Sequence, residues 1–308
     1  MTRARITGAI LTRNEAANVE FALRSLYTWC DEVIVVDMQS SDATRDIARR
    51  YTKLVLDHEP ITDFGLARQM AVDNATSDWI LSIDADEVVT PGLAAWIRDF
   101  IDSDPAYDVA LIPRVNVFLG RWLRSTPWWP GKPRLFRKGT LTVTADLHHS
   151  LLPNPDARIA KLPKDPRISL WHFTRLSLED IATKTNRYTS IEAHTMLREG
   201  RGDPSATDLF WRSFREIGVY FFKRGYRDGL GGLAYALDRA YYRFLMHAKR
   251  WDMTRAPARQ ERYDRWRDSI LSDFPGEGRA PQRVKGRAAR KSSSVSSTLA
   301  DPSKVEPA

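Results

Sequence analysis

The chain has very little cysteine and no long apolar run. Cys30 is the one cysteine among 308 residues, which excludes a disulfide within the chain and a cluster of thiolate metal ligands. No stretch approaches the roughly 18 uninterrupted apolar residues that a membrane-spanning helix requires. The apolar run at residues 6–11 soon gives way to polar residues, so it lacks the length of a signal peptide. These absences predict a cytoplasmic protein without a transmembrane segment.

Positive charge is in excess, and much of it lies near the C-terminus. The formal net charge is +8, and residues 276–308 hold seven Lys or Arg against three Asp or Glu, which is half of that excess. No recognised nucleic-acid-binding motif accompanies the charge, so we expect no nucleic-acid partner. An anionic membrane surface or a phosphorylated substrate suits a mildly basic protein equally well.

The first hundred residues alternate strand-like and helix-like segments. Strand patterns occur at 6–11, 32–37, 53–56 and 78–83, with apolar residues at helical spacing between them. This alternation predicts an α/β fold in which a mixed, mainly parallel sheet carries helices on both faces. Ligands bind such sheets beyond the carboxyl ends of the strands. Asp37 lies at one such end, where it can accept hydrogen bonds from a base or a ribose, or else serve the following turn.

The pattern changes twice after the first hundred residues. Short strands separated by prolines occupy residues 106–173. Helical patterns follow at 177–198, 209–223 and 233–251. We predict an α/β domain over 1–175, a helical region over 176–275 and a disordered, basic, serine-rich tail over 276–308. The last two helices combine apolar stripes with Lys and Arg, which suits either packing on the first domain or a membrane interface.

Three carboxylates, Asp84, Asp86 and Glu87, follow the strand at 78–83 within four residues. Their mutual repulsion is unfavourable unless a cation is present, and a hard divalent cation takes oxygen ligands and substrate phosphates. The alternative is an acidic turn that caps the helix expected near Pro91, with Glu87 interacting with the helix dipole. The residues alone leave these two interpretations balanced.

Clustered tryptophans suggest a site for a sugar acceptor. Trp122, Trp128 and Trp129 lie close in sequence to Arg134. Aromatic rings can stack on sugars, and arginine forks bind phosphate or carboxylate. The alternative is a proline-rich hydrophobic loop packed on the domain.

Several segments recur in a characteristic order and spacing. They are residues 11–15, 35–44, 78–87, 116–122, 134–139 and 184–188. Together they resemble family 2 glycosyltransferases of the GT-A fold, and more closely the lipopolysaccharide-core glucosyltransferase branch. The likeness covers roughly residues 5–255, and the order of the segments carries more weight than any single motif.

The resemblance implies an inverting transferase that uses a nucleotide-sugar donor and a divalent metal, Mn²⁺ or Mg²⁺. It places Asp86 at the metal and Asp84 on the ribose side of the donor. Arg68 matches the position that meets the phosphate or ribose region. The base and ribose contacts would come from Thr12, Glu15 and Asp37.

The resemblance is weakest at the catalytic base. His148 and His149 occupy the place where relatives usually have His-Glu, so a histidine replaces the expected carboxylate. An inverting transfer needs a base to deprotonate the acceptor hydroxyl, and the candidates are Asp146 and His149, unless the enzyme is impaired. His172 matches a late family histidine that can complete the metal shell, although a histidine on an apolar strand is more often a satisfied core residue.

The sequence therefore predicts a hexosyltransferase-type enzyme acting on an envelope glycan or lipid-linked acceptor in lipopolysaccharide biosynthesis, peripheral at the inner face of the plasma membrane. A nucleotidyltransferase is the alternative enzyme. Such enzymes usually carry a glycine-rich phosphate loop near the first strand, and residues 11–15 contain no glycine. A non-catalytic nucleotide-sugar-binding protein is the other alternative, supported by the histidine at position 149.

Overall fold

The computed structural model describes residues 3–59, 64–124, 131–144, 151–202 and 205–272. In chain order, its strands are β1 (Ile6–Thr12), β2 (Glu32–Asp37), β3 (Leu54–Asp57), β4 (Trp79–Asp84), β5 (Glu87–Val89), β6 (Val109–Ile112), β7 (Arg114–Phe118), β8 (Arg121–Trp122), β9 (Lys132–Arg137), β10 (Leu141–Val143), β11 (Leu151–Pro153), β12 (Ile159–Lys161) and β13 (Leu170–Thr174).

The α-helices, in chain order, are α1 (Val19–Arg24), α2 (Thr44–Arg49), α3 (Phe64–Asn74), α4 (Pro91–Asp102), α5 (Leu178–Arg198), α6 (Ala206–Phe222) and α7 (Gly229–Ser272). Helix α4 begins where Thr90 caps it, because the Thr90 hydroxyl accepts a hydrogen bond from the Leu93 N–H and Pro91 occupies the first turn.

The central sheet has the strand order β12-β6-β9-β4-β1-β2-β3. Four neighbouring pairs are parallel, namely β12/β6, β4/β1, β1/β2 and β2/β3. Strand β9 runs antiparallel to both of its neighbours, β4 and β6. The mixed, mainly parallel α/β architecture predicted from the sequence is therefore confirmed.

Helices cover both faces of this sheet. All seven residues of β1 are buried, as expected for a strand between two covered faces. Because side chains alternate along a strand, Ile6 and Ile10 pack with residues of α1 and α4, whereas Ala9 and Leu11 pack with residues of α3. This packing fixes the carboxyl ends of the central strands in place.

A second sheet, ordered β5-β13-β7-β8, begins directly after β4. Strand β5 pairs antiparallel with β13, and the register places His172 opposite Glu87. Strand β13 also pairs parallel with β7, which places His172 beside Asn116. This sheet therefore brings a histidine from late in the chain to the acidic segment that follows β4.

The chain divides into two compact units, Met1–Thr254 and Arg255–Ala308. Helix α7 crosses this boundary and continues to Ser272 through Pro257, so the helical pattern predicted at 233–251 ended too early. Within the described residues, no helix has both the length and the apolar character to cross a membrane.

Candidate active site

The carboxyl ends of three neighbouring parallel strands form the candidate site. Strand β1 lies between β2 and β4, and the registers place Thr12 beside Asp37 and Leu11 beside Asp84. Thr12 and Asp37 are buried, whereas the side chains of Asp84 and Asp86 are 32% and 16% exposed. The strand-end residues identified in the sequence are thus neighbours at the sheet edge where α/β proteins bind ligands.

Asp37 is held by the loop that follows β2. Its Oδ2 accepts a hydrogen bond from the Ser40 N–H at 2.9 Å, and its Oδ1 accepts one from the Ser40 hydroxyl at 2.5 Å. Arg45 Nε lies 3.5 Å from Oδ2. These contacts confirm turn chemistry, yet an ionised carboxylate has about four acceptor positions. Beside it, the buried Thr12 hydroxyl has no hydrogen-bond partner among the described residues, so both groups can still bind a ligand.

Glu15 and Lys184 form an ion pair at the same edge. Lys184 Nζ lies 3.4 Å from Glu15 Oε1 and 3.5 Å from Asp180 Oδ1, while Asn18 donates to Glu15 Oε2 at 2.7 Å. Burial raises the pKa of Glu15. The negative charge of Asp86 raises it further, while Lys184 and the hydrogen bond from Asn18 act in the opposite direction. Burial would lower the pKa of Lys184, but Glu15, Asp86 and Asp180 raise it overall. Lys184 is therefore a stable positive charge near Asp86.

Asp84 is clamped between two buried arginines. Arg68 Nη2 lies 2.5 Å from Asp84 Oδ1, and Arg134 Nη2 lies 2.6 Å from Oδ2. Burial alone would raise the pKa of Asp84, but Arg134 and Arg68 hold it well below its usual range. Asp84 is consequently ionised and fixed in orientation. Arg68 belongs to the site because it binds the carboxylate of Asp84.

Glu87 completes this network from beneath the site. It is fully buried, and its Oε2 accepts the Asp84 N–H at 2.9 Å. Its Oε1 lies 2.8 Å from Arg134 Nη2 and 3.3 Å from Arg114 Nη1. The interpretation of Glu87 as a partner of the α4 dipole is therefore wrong, because its carboxylate binds arginines and Thr90 caps that helix.

Asp86, in the turn between β4 and β5, faces His172 of β13. His172 Nε2 lies 3.3 Å from Asp86 Oδ2, and His172 Nδ1 lies 3.0 Å from Asn116 Oδ1. Because an amide oxygen only accepts, Nδ1 must carry a proton, which leaves a lone pair on Nε2 of the neutral ring. Burial would raise the pKa of Asp86, but His172 lowers it overall. Two lone-pair donors therefore face each other unless a proton or a cation lies between them.

This pair fits a shared divalent cation. Two adjacent ligands of an octahedral ion, each about 2.1 Å away, lie about 3.0 Å apart, close to the observed 3.3 Å between Asp86 Oδ2 and His172 Nε2. No group of three or more His, Cys, Asp or Glu side chains suited to a metal occurs in the part of the chain described. Two protein ligands suffice for Mg²⁺, which usually keeps waters and binds substrate phosphates.

Two of the six predicted acceptor and base residues lie among the described residues. Arg134 is buried beneath the site, with its guanidinium bound to Asp84 and Glu87. Trp122, on β8, packs its ring 5.4 Å from that of Trp171, the neighbour of His172. The other four predicted residues lie outside the described residues. They are Trp128, Trp129, Asp146 and His149.

Several site residues were not identified as such from the sequence. Lys184 and Asn116 lie in segments that carried the family likeness, so those segments were the available signal. Lys132 lies near the tryptophans in the segment predicted to bind the acceptor. Arg114 and the structural role of Glu87 gave no local signal, because their contacts come from different strands.

The glycosyl transferase family 2 model matches residues 9–152. The chain is 28% identical over 260 residues to an uncharacterized glycosyltransferase of Rickettsia bellii, covering 80% of this chain and 85% of that protein. It is 24% identical over 253 residues to the lipopolysaccharide core biosynthesis glycosyltransferase LpsC of Rhizobium meliloti, covering 79% and 91%. Among solved structures, Staphylococcus aureus TarS 1–349 with UDP-GlcNAc aligns with a TM-score of 0.44 at 16% identity, covering 80% and 92%.

The matched region contains the strand ends that build the site. Asp37, Asp84 and Asp86 all lie within residues 9–152, and the relatives with matches over most of this chain carry glycosyltransferase names. The resemblance to family 2 glycosyltransferases predicted from the sequence is therefore confirmed over residues 9–152.

Proposed function

We propose that the protein transfers a hexosyl group, with inversion, from a nucleoside diphosphate sugar to a hydroxyl of an envelope glycan or lipid-linked acceptor. The observation that carries this proposal is the row of Thr12, Asp37 and Asp84 at adjacent strand ends, with the Asp86–His172 pair beside it. The name of the Rhizobium relative supports an acceptor of the lipopolysaccharide core class.

The nucleoside end of the donor is assigned to β1 and β2. Thr12 has a buried hydroxyl that lacks a partner among the described residues, and a ligand would remove the cost of that burial. Asp37 retains acceptor capacity for a ribose hydroxyl or a base N–H. Glu15 lies at the same edge and is held by Lys184. Asp84 would contact the ribose side.

The diphosphate end is assigned to Asp86, His172 and Lys184. Asp86 and His172 would hold Mn²⁺ or Mg²⁺, and such a cation stabilises negative charge on a departing nucleoside diphosphate. Asn116 fixes the imidazole tautomer that leaves Nε2 free to bind the metal. Lys184 supplies a positive charge near Asp86, and Arg68 and Arg134 keep Asp84 ionised.

Inversion requires a base on the acceptor side of the transferred sugar. Asp146 and His149 remain the candidates, with Asp146 preferred because this fold usually uses a carboxylate. We assign donor binding and chemistry mainly to residues 1–175, with Lys184 contributed by the helical region at 176–275.

We also propose peripheral contact of the helical region with an anionic membrane. None of the residues of α6 is buried, and Phe222 and Trp211 are 86% and 60% exposed. Exposed cations, among them Arg215 and Lys223, lie on or directly after the same helix. Exposed apolar surface of this extent marks an interaction site, and the basic charge favours anionic lipid over a neutral surface.

A transfer assay tests the proposed function. The protein would be incubated with Mn²⁺, radiolabelled UDP-sugars and isolated envelope membranes, and label and UDP would be followed together. We expect UDP release coupled to label in glycan or lipid-linked material. Release of pyrophosphate would favour a nucleotidyltransferase, and nucleotide binding without transfer for any sugar would favour a binding protein.

A further inference from the structure

Asp238 of α7 contacts two segments of the chain that carry site residues. Its Oδ1 accepts a hydrogen bond from the Thr185 hydroxyl of α5 at 2.7 Å, and its Oδ2 lies 3.9 Å from Arg175 Nε. Arg175 Nη2 lies 3.5 Å from the same Thr185 hydroxyl, so the three side chains form one cluster. Asp238 and Thr185 are both buried, and a buried carboxylate needs partners of this kind.

Both partners of Asp238 lie close in sequence to residues assigned to the diphosphate. Thr185 directly follows Lys184 in α5, and Arg175 lies just beyond the end of β13, the strand that carries His172. Residues 175–185 connect β13 to the first half of α5. A single carboxylate from α7 therefore holds both ends of the connection between His172 and Lys184.

The backbone at Arg175 depends on contacts of this kind. Its φ of 59° lies in the left-handed region, which is unfavourable for a residue with a Cβ and persists where neighbouring groups hold it. The Arg175 carbonyl accepts a hydrogen bond from the Leu119 N–H at 3.0 Å, and Asp238 binds the side chain. This conformation turns the chain from β13 towards α5, so the contacts of Arg175 fix the end of the strand that carries His172.

The Thr185 hydrogen bond fixes the rotation of α5 about its axis. Successive side chains on an α-helix diverge by about 100°, so Lys184 and Thr185 face different neighbours. Lys184 Nζ lies 3.4 Å from Glu15 Oε1, whereas the Thr185 hydroxyl binds Asp238 of α7. Without the second contact α5 can rotate, and the Lys184 ammonium moves with it.

We propose that Asp238 is a positioning residue, which holds His172 and Lys184 in the arrangement that binds the metal and the diphosphate of the donor. It acts through Arg175 and Thr185 rather than by contact with the donor. This inference rests on the proposed function, because it takes the assignment of His172 and Lys184 to the diphosphate as given. It extends the set of residues on which donor binding depends to α7.

Calorimetric titration would compare wild type with variants of Asp238 and Thr185. The probes are UDP at a fixed Mn²⁺ concentration, which reports on the diphosphate end, and UMP without metal, which reports on the nucleoside end. We expect Asp238→Ala and Thr185→Val to weaken the binding of UDP with Mn²⁺ by at least about fivefold. UMP affinity should stay within about twofold of wild type in both variants, because the nucleoside is assigned to β1 and β2.

Two further variants serve as controls. Thr185→Ser keeps the hydroxyl that binds Asp238, and Thr195→Val makes the same change as Thr185→Val elsewhere on α5. The Thr195 hydroxyl donates within the helix, to the Ile191 carbonyl at 3.1 Å. Both controls should bind UDP with Mn²⁺ within about twofold of wild type.

The variants should remain folded, because α5 and α7 are also joined further along. The Tyr242 hydroxyl donates to Glu192 Oε1 at 2.8 Å, and Met196 packs with Tyr242 and Met246. Melting temperatures would check this. If Asp238→Ala does not fold, the comparison of Thr185→Val with Thr185→Ser decides the question.

The outcomes separate this inference from the proposed function. Equal affinity of wild type, Asp238→Ala and Thr185→Val for UDP with Mn²⁺ would overturn the inference alone. An equal loss of UMP binding would assign Asp238 to the fold as a whole and overturn it too, as would a Thr185→Ser variant as weak as Thr185→Val. If wild type itself fails to bind UDP with Mn²⁺, the proposed function fails and this inference falls with it.

Discussion

Glu87 should be the carboxylate on which the folded state depends most. Glu87→Gln keeps the shape of the side chain but removes the negative charge that binds both Arg134 and Arg114. An amide can accept on one side only, so the substitution loses either the Asp84 N–H bond to Oε2 or the arginine contacts at Oε1. Both sides are buried, and water does not replace the lost partner.

The magnitude follows from the burial of this network. Removing one member of a buried ion pair typically costs about 3–5 kcal/mol, and because Arg134 keeps its contact with Asp84 we expect a cost near the lower end of this range. The matched control is Asp104→Asn, the same chemical change in an exposed ion pair with Arg137. Exposed pairs contribute less than about 1 kcal/mol, and asparagine tolerates the positive φ of 46° at this position.

Urea unfolding at neutral pH would compare the two variants with wild type. We expect a large drop in the unfolding midpoint for Glu87→Gln, with an unchanged m-value, and a small drop for Asp104→Asn. If Glu87→Gln costs no more than Asp104→Asn, the buried network does not support the site and the reasoning is refuted.

Three further predictions concern the base, the membrane surface and Lys132. Asp146→Asn or His149→Ala should lower the transfer rate by about 10²-fold or more with little change in donor affinity. The acidic limb of the kcat/KM profile should lie near pH 4–5 for an unperturbed Asp and near 6.5 for His. Near-normal rates in both variants would place the base elsewhere. Flotation with anionic vesicles at low salt should fall for the Trp211→Ser/Phe222→Ser double variant and not for Phe21→Ser, an exposed aromatic on α1; equal flotation of all three proteins would exclude α6 as the contact. The folded-state pKa of Lys132 is lowered from 10.5 to about 8, so between these pH values the unfolded chain holds a proton that the folded chain has lost. The stability of wild type relative to Lys132→Met should therefore rise by more than about 1 kcal/mol from pH 7 to 10. A constant difference between the two proteins would show that folding does not lower the pKa of Lys132.

The sequence predicted the donor side of the site well because its signals are local. The strand predicted at residues 32–37 has the same bounds as β2, and its last residue, Asp37, lies at the sheet edge as expected. Alternating apolar segments specify a parallel sheet, and a parallel sheet gathers the carboxyl ends of its strands at one edge. Asp37 and Asp84 could therefore be placed without knowledge of any contact.

The other side of the site depends on pairing that leaves no local pattern. Lys184 reaches Glu15 across 169 positions of sequence, and Glu87 is neutralised by arginines from β7 and β9. The Arg134 contact requires β9 to enter the sheet antiparallel, next to β4, which periodicity cannot specify. The end of α7 was misplaced for a different reason, since Pro257 usually ends a helix but lies within this one.

The central claim is that Asp86 links the donor to a divalent cation. Calorimetric titration of UDP in the presence and absence of Mn²⁺ would compare wild type, Asp86→Asn and the control Asp104→Asn. We predict that Mn²⁺ tightens UDP binding to wild type and to Asp104→Asn, and that Asp86→Asn loses at least about tenfold in affinity together with its dependence on Mn²⁺. If Asp86→Asn binds UDP and Mn²⁺ as tightly as wild type, the metal and diphosphate site does not lie at Asp86.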